Sequence, residues 1–263
     1  MRLATFADPG TGEARAGQVC GDLVVEMRGE TVLERLASGD RTPADGAEHA
    51  LAELTLLAPV PRPRAIFGIG LNYAAHARET GRDLPEAPMV FMKLPSSSAA
   101  PGGNVVVPAA AWNRLDYEGE LVVVLGEHGR IAGYAIADDL SARDLQGREP
   151  QWTRAKGFDN ACPWGPWITT ADEVADPEAL RLTTHVNGEP RQDSSTSDLV
   201  FGPEALVGFL SEAISLEPGD LILTGTPSGV GVAMEPRIFL APGDTVRIEI
   251  ESLGLIEHTV RRP

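Results

Sequence analysis

Apolar residues in this chain fall in short runs broken by Gly, Pro, Asn and Asp, and few stretches repeat at the spacing of an amphipathic helix. Arg2 to Phe6 and Leu23 to Met27 read as strands, with a turn region at AGQVCGD between them. Helical patterns follow over Thr31 to Leu36 and over Ala47 to Leu57. The segment APVPRPR (58–64) holds three prolines in seven residues. Proline fixes φ and disfavours helix in the residue before it, so this segment reads as a linker. Beyond it, AIFGIG (65–70) predicts a buried strand, Asn72 to Arg82 a short helix, Val90 to Lys93 a strand and PSSSAAPGGN (95–104) a loop. Glu120 to Gly126 and Ile131 to Ala137 are strongly apolar strands. Pro-Gly-Asp precedes an apolar run twice, in LEPGDLILTG (216–225) and LAPGDTVRIEI (240–250), as a tight turn feeding a strand does. Asn187-Gly188 is a hairpin signal, and Pro203 to Ser211 a clear helix. The expected fold class is a strand-dominated α+β chain with a closed or sandwiched sheet. Residues 1–60 form a small N-terminal unit and residues 61–263 the larger domain.

Composition narrows the class. At 263 residues, with 43% hydrophobic and 23% charged residues, the chain can bury a sizeable core. Its 28 glycines and 21 prolines favour tight turns and short strands over a long-helix bundle. The balance of 22 basic against 38 acidic residues gives a net charge of −16. Such a surface repels phosphate backbones and anionic lipid, which argues against nucleic-acid and membrane partners. An anionic substrate would then need a metal ion or placed Lys and Arg. Two cysteines, Cys20 and Cys162, are too few for a disulfide scaffold and fit a reduced cytoplasm. The opening MRLATFADPGTGE lacks the apolar run of a signal peptide, and no stretch approaches the ~18 apolar residues of a membrane span.

The candidate chemistry centres on LDYEGELVVVLG (115–126). Glu118 and Glu120 are two apart on a predicted strand, so both side chains point to one face. Two ionised carboxylates side by side repel, and a bound divalent cation resolves that conflict. They could equally sit on the solvent face of an edge strand. In GYAIADDLSARDLQ (133–146), Asp138, Asp139 and Asp144 follow an apolar strand. Carboxylates from two strand regions, with no His or Cys cluster, suit a hard cation such as Mg²⁺ or Mn²⁺ rather than zinc. Either Asp138 or Asp139 could instead cap a helix. His76 and Glu79 are i, i+3 neighbours on a predicted helix, so carboxylate and imidazole can touch.

Seven segments, GLNYAAHARE (70–79), FMK (91–93), DYEGELVVVLG (116–126), GYAIADDLSARDLQ (133–146), AKGFDNACPWGPW (155–167), VNGEPRQ (186–192) and GDLILTGTPSGVG (219–231), occur in one order. On them the chain from about Pro61 onward resembles the fumarylacetoacetate hydrolase superfamily, in its acylpyruvase and 2-hydroxyhepta-2,4-diene-1,7-dioate isomerase-like branch. The resemblance implies a mixed β-sandwich roll with a small N-terminal domain. It implies Glu118, Glu120 and Asp139 as ligands of Mg²⁺ or Mn²⁺, and Lys156 as the lysine beside the metal. Lys93, Arg143, Gln146 and Thr226 would bind substrate, with TGTPSGVG as a nest for its carboxylate. His76 and Glu79 match a dyad on a mobile lid helix that activates water. Trp152, Trp164 and Trp167 read as core or pocket wall. One departure is LPSSSAAPGGN after FMK, where the family more often has proline; the Ser96–Ser98 loop is expected to reshape the pocket.

The implied activity is hydrolysis of the C–C bond of an acylpyruvate-like or fumarylpyruvate-like β-diketo 2-oxo acid through a metal-stabilised enolate, a reaction type of aromatic catabolism. The alternative is isomerisation or decarboxylation of unsaturated 2-oxo diacids, or oxaloacetate decarboxylation or tautomerisation. Relatives are typically homodimers, and a chain with many strands has edges to cover, so a homodimer is expected.

Overall fold

The computed structural model describes all 263 residues. In the first sixty, β1 (Arg2–Ala7), β2 (Ala14–Cys20), β3 (Leu23–Glu26), β4 (Glu48–Ala50) and β5 (Thr55–Leu57) accompany one helix, α1 (Val32–Ser38). The α1 start is written in T-x-x-E: the Thr31 hydroxyl accepts the Glu34 N–H, and the Glu34 carboxylate accepts the Thr31 N–H at 2.7 Å. Two expectations fail here. AGQVCGD is not a turn region, because residues 14–20 form β2, paired with β1 and β3, with Ala16 and Val19 buried. The helix expected over Ala47 to Leu57 is two short strands around a single 3₁₀ turn at Leu51–Glu53. Pairing of β4 with β3 and β5 with β1 sets Leu51, Leu54 and Leu56 against Phe6, Val19 and Val24, so tertiary pairing overrides the local helical pattern.

The remainder runs β6 (Ile66–Gly70), α2 (Ala74–Glu79), β7 (Met89–Lys93), β8 (Ser98–Ala99), β9 (Gly102–Val106), β10 (Leu115–Asp116), β11 (Gly119–Leu125), β12 (Ile131–Asp138), β13 (Ser141–Ala142), α3 (Arg143–Arg148), α4 (Thr153–Lys156) and β14 (Cys162–Thr170). It closes with β15 (Arg181–Val186), β16 (Glu189–Ser195), α5 (Pro203–Ser211), β17 (Leu221–Leu223), β18 (Thr245–Ile250) and β19 (Gly254–Arg261). Asn187 and Gly188, both at positive φ, turn β15 into β16. In each Pro-Gly-Asp turn the glycine takes a positive φ (Gly219, Gly243), and the aspartate carboxylate accepts the N–H three residues back. Residues 95–104 are not simply a loop: β8 pairs parallel with β14, and β9 parallel with β19.

Two sheets carry the fold. A twelve-stranded mixed sheet has the path β4-β3-β2-β1-β14-β12-β11-β17-β6-β7, with β5 beside β1 and β8 beside β14. A five-stranded sheet has the order β16-β15-β18-β19-β9. Every residue of β11 is buried, because the large sheet is covered on both faces. Leu121, Val123 and Leu125 enter the main core with Leu182, Val246, Ile248 and Ile256 of the second sheet. Val122 and Val124 enter a second core with Leu3, Val32, Leu36 and Val60. The architecture is thus the expected strand-dominated sandwich. No helix is long and apolar enough to cross a membrane.

Candidate functional site

The β11–β12 ladder begins at the pair Gly119–Asp138, and the residues just outside it are Glu118 and Asp139. Glu118 is held at both ends of its peptide unit: its N–H donates to Asp138 Oδ1 at 2.9 Å, and its C=O accepts the Asp139 N–H at 2.9 Å. This register brings Glu118, Glu120 and Asp139 together, with one carboxylate oxygen from each lying within 4.8 Å of the others, all buried. The solvent-facing alternative for the glutamates is therefore excluded. So is the cap: α3 starts at Arg143 after Ala142 and has no side-chain cap.

Three buried cations answer these carboxylates. Lys156 Nζ lies 2.5 Å from Glu118 and 2.8 Å from Asp139, and Lys93 Nζ lies 2.5 Å from the other Asp139 oxygen. Arg143 reaches Asp116 at 2.8 Å and Glu118 at 2.5 Å, and donates to Gln146 at 3.0 Å. Burial alone would raise the Glu118 carboxyl, but Arg143 and Lys156 outweigh it and hold it down at about 2. Burial would lower the Lys156 ammonium, and Asp139 and Glu118 reverse that. Glu120 has only the Gly225 N–H, at 2.6 Å; burial, then Asp139 and Glu118, push its carboxyl well above the usual range.

An open cavity of about 550 Å³ adjoins this cluster. Glu118, Glu120, Lys156, Arg143, Gln146, Thr226, His76 and Glu79 all line it. Trp152 and Phe91 form a wall, their rings 5.6 Å apart edge to face, while Trp164 is core and Trp167 lies under Arg2. Lys93 is fully buried behind Asp139 and does not line the cavity. Nor do Ser96 to Ser98, contrary to expectation: the Ser97 hydroxyl turns back to the Leu94 carbonyl, and Ser98 accepts the Trp164 indole N–H. His76 Nδ1 lies 3.0 Å from Glu79, whose second oxygen accepts the Gly229 N–H at 2.9 Å.

The glycine-rich TGTPSGVG loop does bind anions, but those in contact with it are the chain's own. Gly225 serves Glu120, Gly229 serves Glu79, and Gly231 and Val232 serve Asp116. The Thr226 hydroxyl donates to the Gly119 carbonyl and accepts from Gln192. Two residues central to this network escaped sequence reasoning. Asp116 ties Arg143 to the cavity wall at Val232, and Gln192 bridges Gly119, Thr226 and Pro227. Both lie inside the matched segments, but nothing in their spacing marks them.

The donor set fits a hard divalent cation. It offers only carboxylate oxygens, and each oxygen already facing a cation keeps a second lone pair. The raised Glu120 carboxyl records repulsion that a cation there would relieve.

Comparison with known proteins agrees with this geometry. The family model for the C-terminal domain of fumarylacetoacetate (FAA) hydrolase matches residues 65–261. The mitochondrial oxaloacetate tautomerase FAHD2A of Bos taurus is 39% identical, covering 99% of this chain and 91% of that protein. The structure of fumarylacetoacetate hydrolase from Exiguobacterium antarcticum superposes with a TM-score of 0.90 at 33% identity, covering all of both chains. The maleylpyruvate hydrolase of Sphingobium sp. SYK-6, solved with manganese(II) and pyruvate, gives a TM-score of 0.80 at 31% identity over 100% of this chain and 99% of that one.

Proposed function

Because this chain belongs to the fumarylacetoacetate hydrolase family, we propose that it is a divalent-metal-dependent hydrolase cleaving the C–C bond of an acylpyruvate-like β-diketo 2-oxo acid. Glu118, Glu120 and Asp139 would hold Mg²⁺ or Mn²⁺. Bound there, the cation supplies Lewis-acid stabilisation of negative charge on the substrate's carboxylate and 2-oxo group. The observation that carries the reading is that the His76–Glu79 pair lines one cavity with Glu118 and Glu120, against which the buried Asp139 is clustered.

In this reading Glu79 accepts the His76 Nδ1 proton, which leaves Nε2 as the basic nitrogen, and His76 takes a proton from water. Lys156 and Arg143 place positive charge beside the substrate's anionic end and offset the net charge of −16. Gln146 and Thr226 set the pocket wall, and Lys93 holds Asp139 from behind. The test is pyruvate release from acylpyruvates with Mg²⁺ or Mn²⁺. His76→Ala should cut cleavage by about 10²–10⁴-fold while leaving Mn²⁺ affinity nearly unchanged. A variant that cleaves as fast as wild type, or a wild type that cleaves no β-diketo acid, removes the hydrolase reading.

The second reading is oxaloacetate tautomerisation, favoured by the Bos taurus relative. Keto–enol conversion without pyruvate release would establish it. We further infer a homodimer, supported by the apolar, unpaired edge of β7. A reducing compartment such as the cytoplasm suits two free cysteines.

A further inference from the structure

Behind the three carboxylates lies a pair that the proposed chemistry does not use. His258 comes from β19 of the five-stranded sheet, in register with Val246 on one side and Gly103 on the other. Its Nε2 lies 3.1 Å from Asp138 Oδ2, and both side chains are wholly removed from solvent. The contact is off the line of a hydrogen bond, and neither His258 nitrogen has another partner. Leucine at 258 would fill the space of the ring without the cost of burying an imidazole, so packing alone does not account for the histidine.

The other oxygen of the same carboxylate shows what the pair does. Asp138 Oδ1 accepts the Glu118 N–H at the point where the β11–β12 ladder ends. Glu118 returns a carbonyl to the Asp139 N–H, and Asp139 follows Asp138 in the chain. One carboxylate thus sits where the segments bearing Glu118 and Asp139 leave the ladder. Rotation of that carboxylate would release the Glu118 peptide.

We propose that His258 is a positioning residue of the metal centre: from the second sheet it holds Asp138, Asp138 holds the Glu118 main chain, and the spacing of Glu118, Glu120 and Asp139 is set in this way. The proposal rests on the metal reading given above. It gives the five-stranded sheet, which supplies none of the three carboxylates, a second tie to the site beside Gln192 of β16.

Mn²⁺ titrated into metal-free protein, followed by calorimetry and by the Mn²⁺ electron paramagnetic resonance spectrum, tests it. Glutamine at 258 can still reach Asp138, and asparagine is one methylene short. His258→Gln should therefore bind Mn²⁺ nearly as wild type does. His258→Asn should bind about 10–100-fold more weakly, the usual cost of losing a residue that orients a ligand. Wild-type affinity in His258→Asn, or an equal loss in both variants that tracks their melting temperatures, overturns the proposal. As a second measurement, Asp138→Ala and His258→Leu are combined. Their losses in Mn²⁺ affinity should not add, because each breaks the same linkage, and additive losses overturn it. If wild type binds no Mn²⁺, it is the metal reading that falls, an outcome separate from these.

Discussion

Glu120 carries the strongest electrostatic conflict in the site, and it gives a pH-dependent prediction. Its carboxyl is raised by burial, then by Asp139 and Glu118, so without metal the folded state holds its proton where the unfolded chain has released it. Metal-free stability contributed by Glu120 is therefore full below the ordinary value of 4.5 and lost as pH rises from there towards the raised value. Glu118, held at about 2, acts in the opposite sense, its contribution being lost as pH falls from 4.5 towards that value. The melting temperature of metal-free wild type should fall relative to Glu120→Gln as pH rises above 4.5. Saturating Mn²⁺ should reverse the trend for wild type alone. Parallel curves for the two proteins without metal would contradict this. At the same scale, Asp139 was singled out from Asp138 and Asp144 only by the family resemblance, while Glu118 and Glu120 were legible because E-x-E is a local pattern. Asp116, Gln192 and His258 were not, since their partners lie at Arg143 and Val232, at Gly119 and Thr226, and at Asp138.

Elements were legible where the signal is short-range. The helix expected over Thr31 to Leu36, the Asn187-Gly188 turn and the Pro203 helix start each fall where the residues place them. Ala47 to Leu57 was misread because its apolar residues serve a sheet contributed by distant strands. The end of TGTPSGVG, where it passes into the cavity wall, is the place most sensitive to a single methyl group. A Cβ on Gly231 would stand 1.9 Å from the Ile238 carbonyl oxygen and 2.7 Å from Asp116 Oδ1. A backbone oxygen cannot swing aside, so the segment must move and Asp116 lose its hold. Gly231→Ala should cost about 1–3 kcal/mol in urea unfolding, and KM should rise because Val232 to Met234 line the cavity. Unchanged stability and KM would show that the segment is not tied down in this way.

At the scale of the whole molecule, the twelve-stranded sheet ends on β7, and five of the twelve exposed large apolar side chains lie on or beside it: Leu84, Met89, Val90, Met92 and Leu94. No charged side chain guards the run Met89–Met92, so the edge is open to a second copy of the chain. Met92→Lys should leave the fold intact, because Met92 is exposed in the single chain, and should convert the expected dimer to a monomer in light scattering. A dimer that survives the change would place the interface elsewhere. The Glu79 carboxylate ties α2 to the Gly229 loop, since one oxygen meets His76 on the same helix and the other accepts the Gly229 N–H. His76 and Glu79 both belong to α2, so a helix that leaves the Gly229 loop carries the pair with it, still in contact, and takes the base away from the buried carboxylates. Admission and ignition are then one event: a protein standing ajar has a doorway but no spark, and a substrate that fails to draw the helix home leaves as it came.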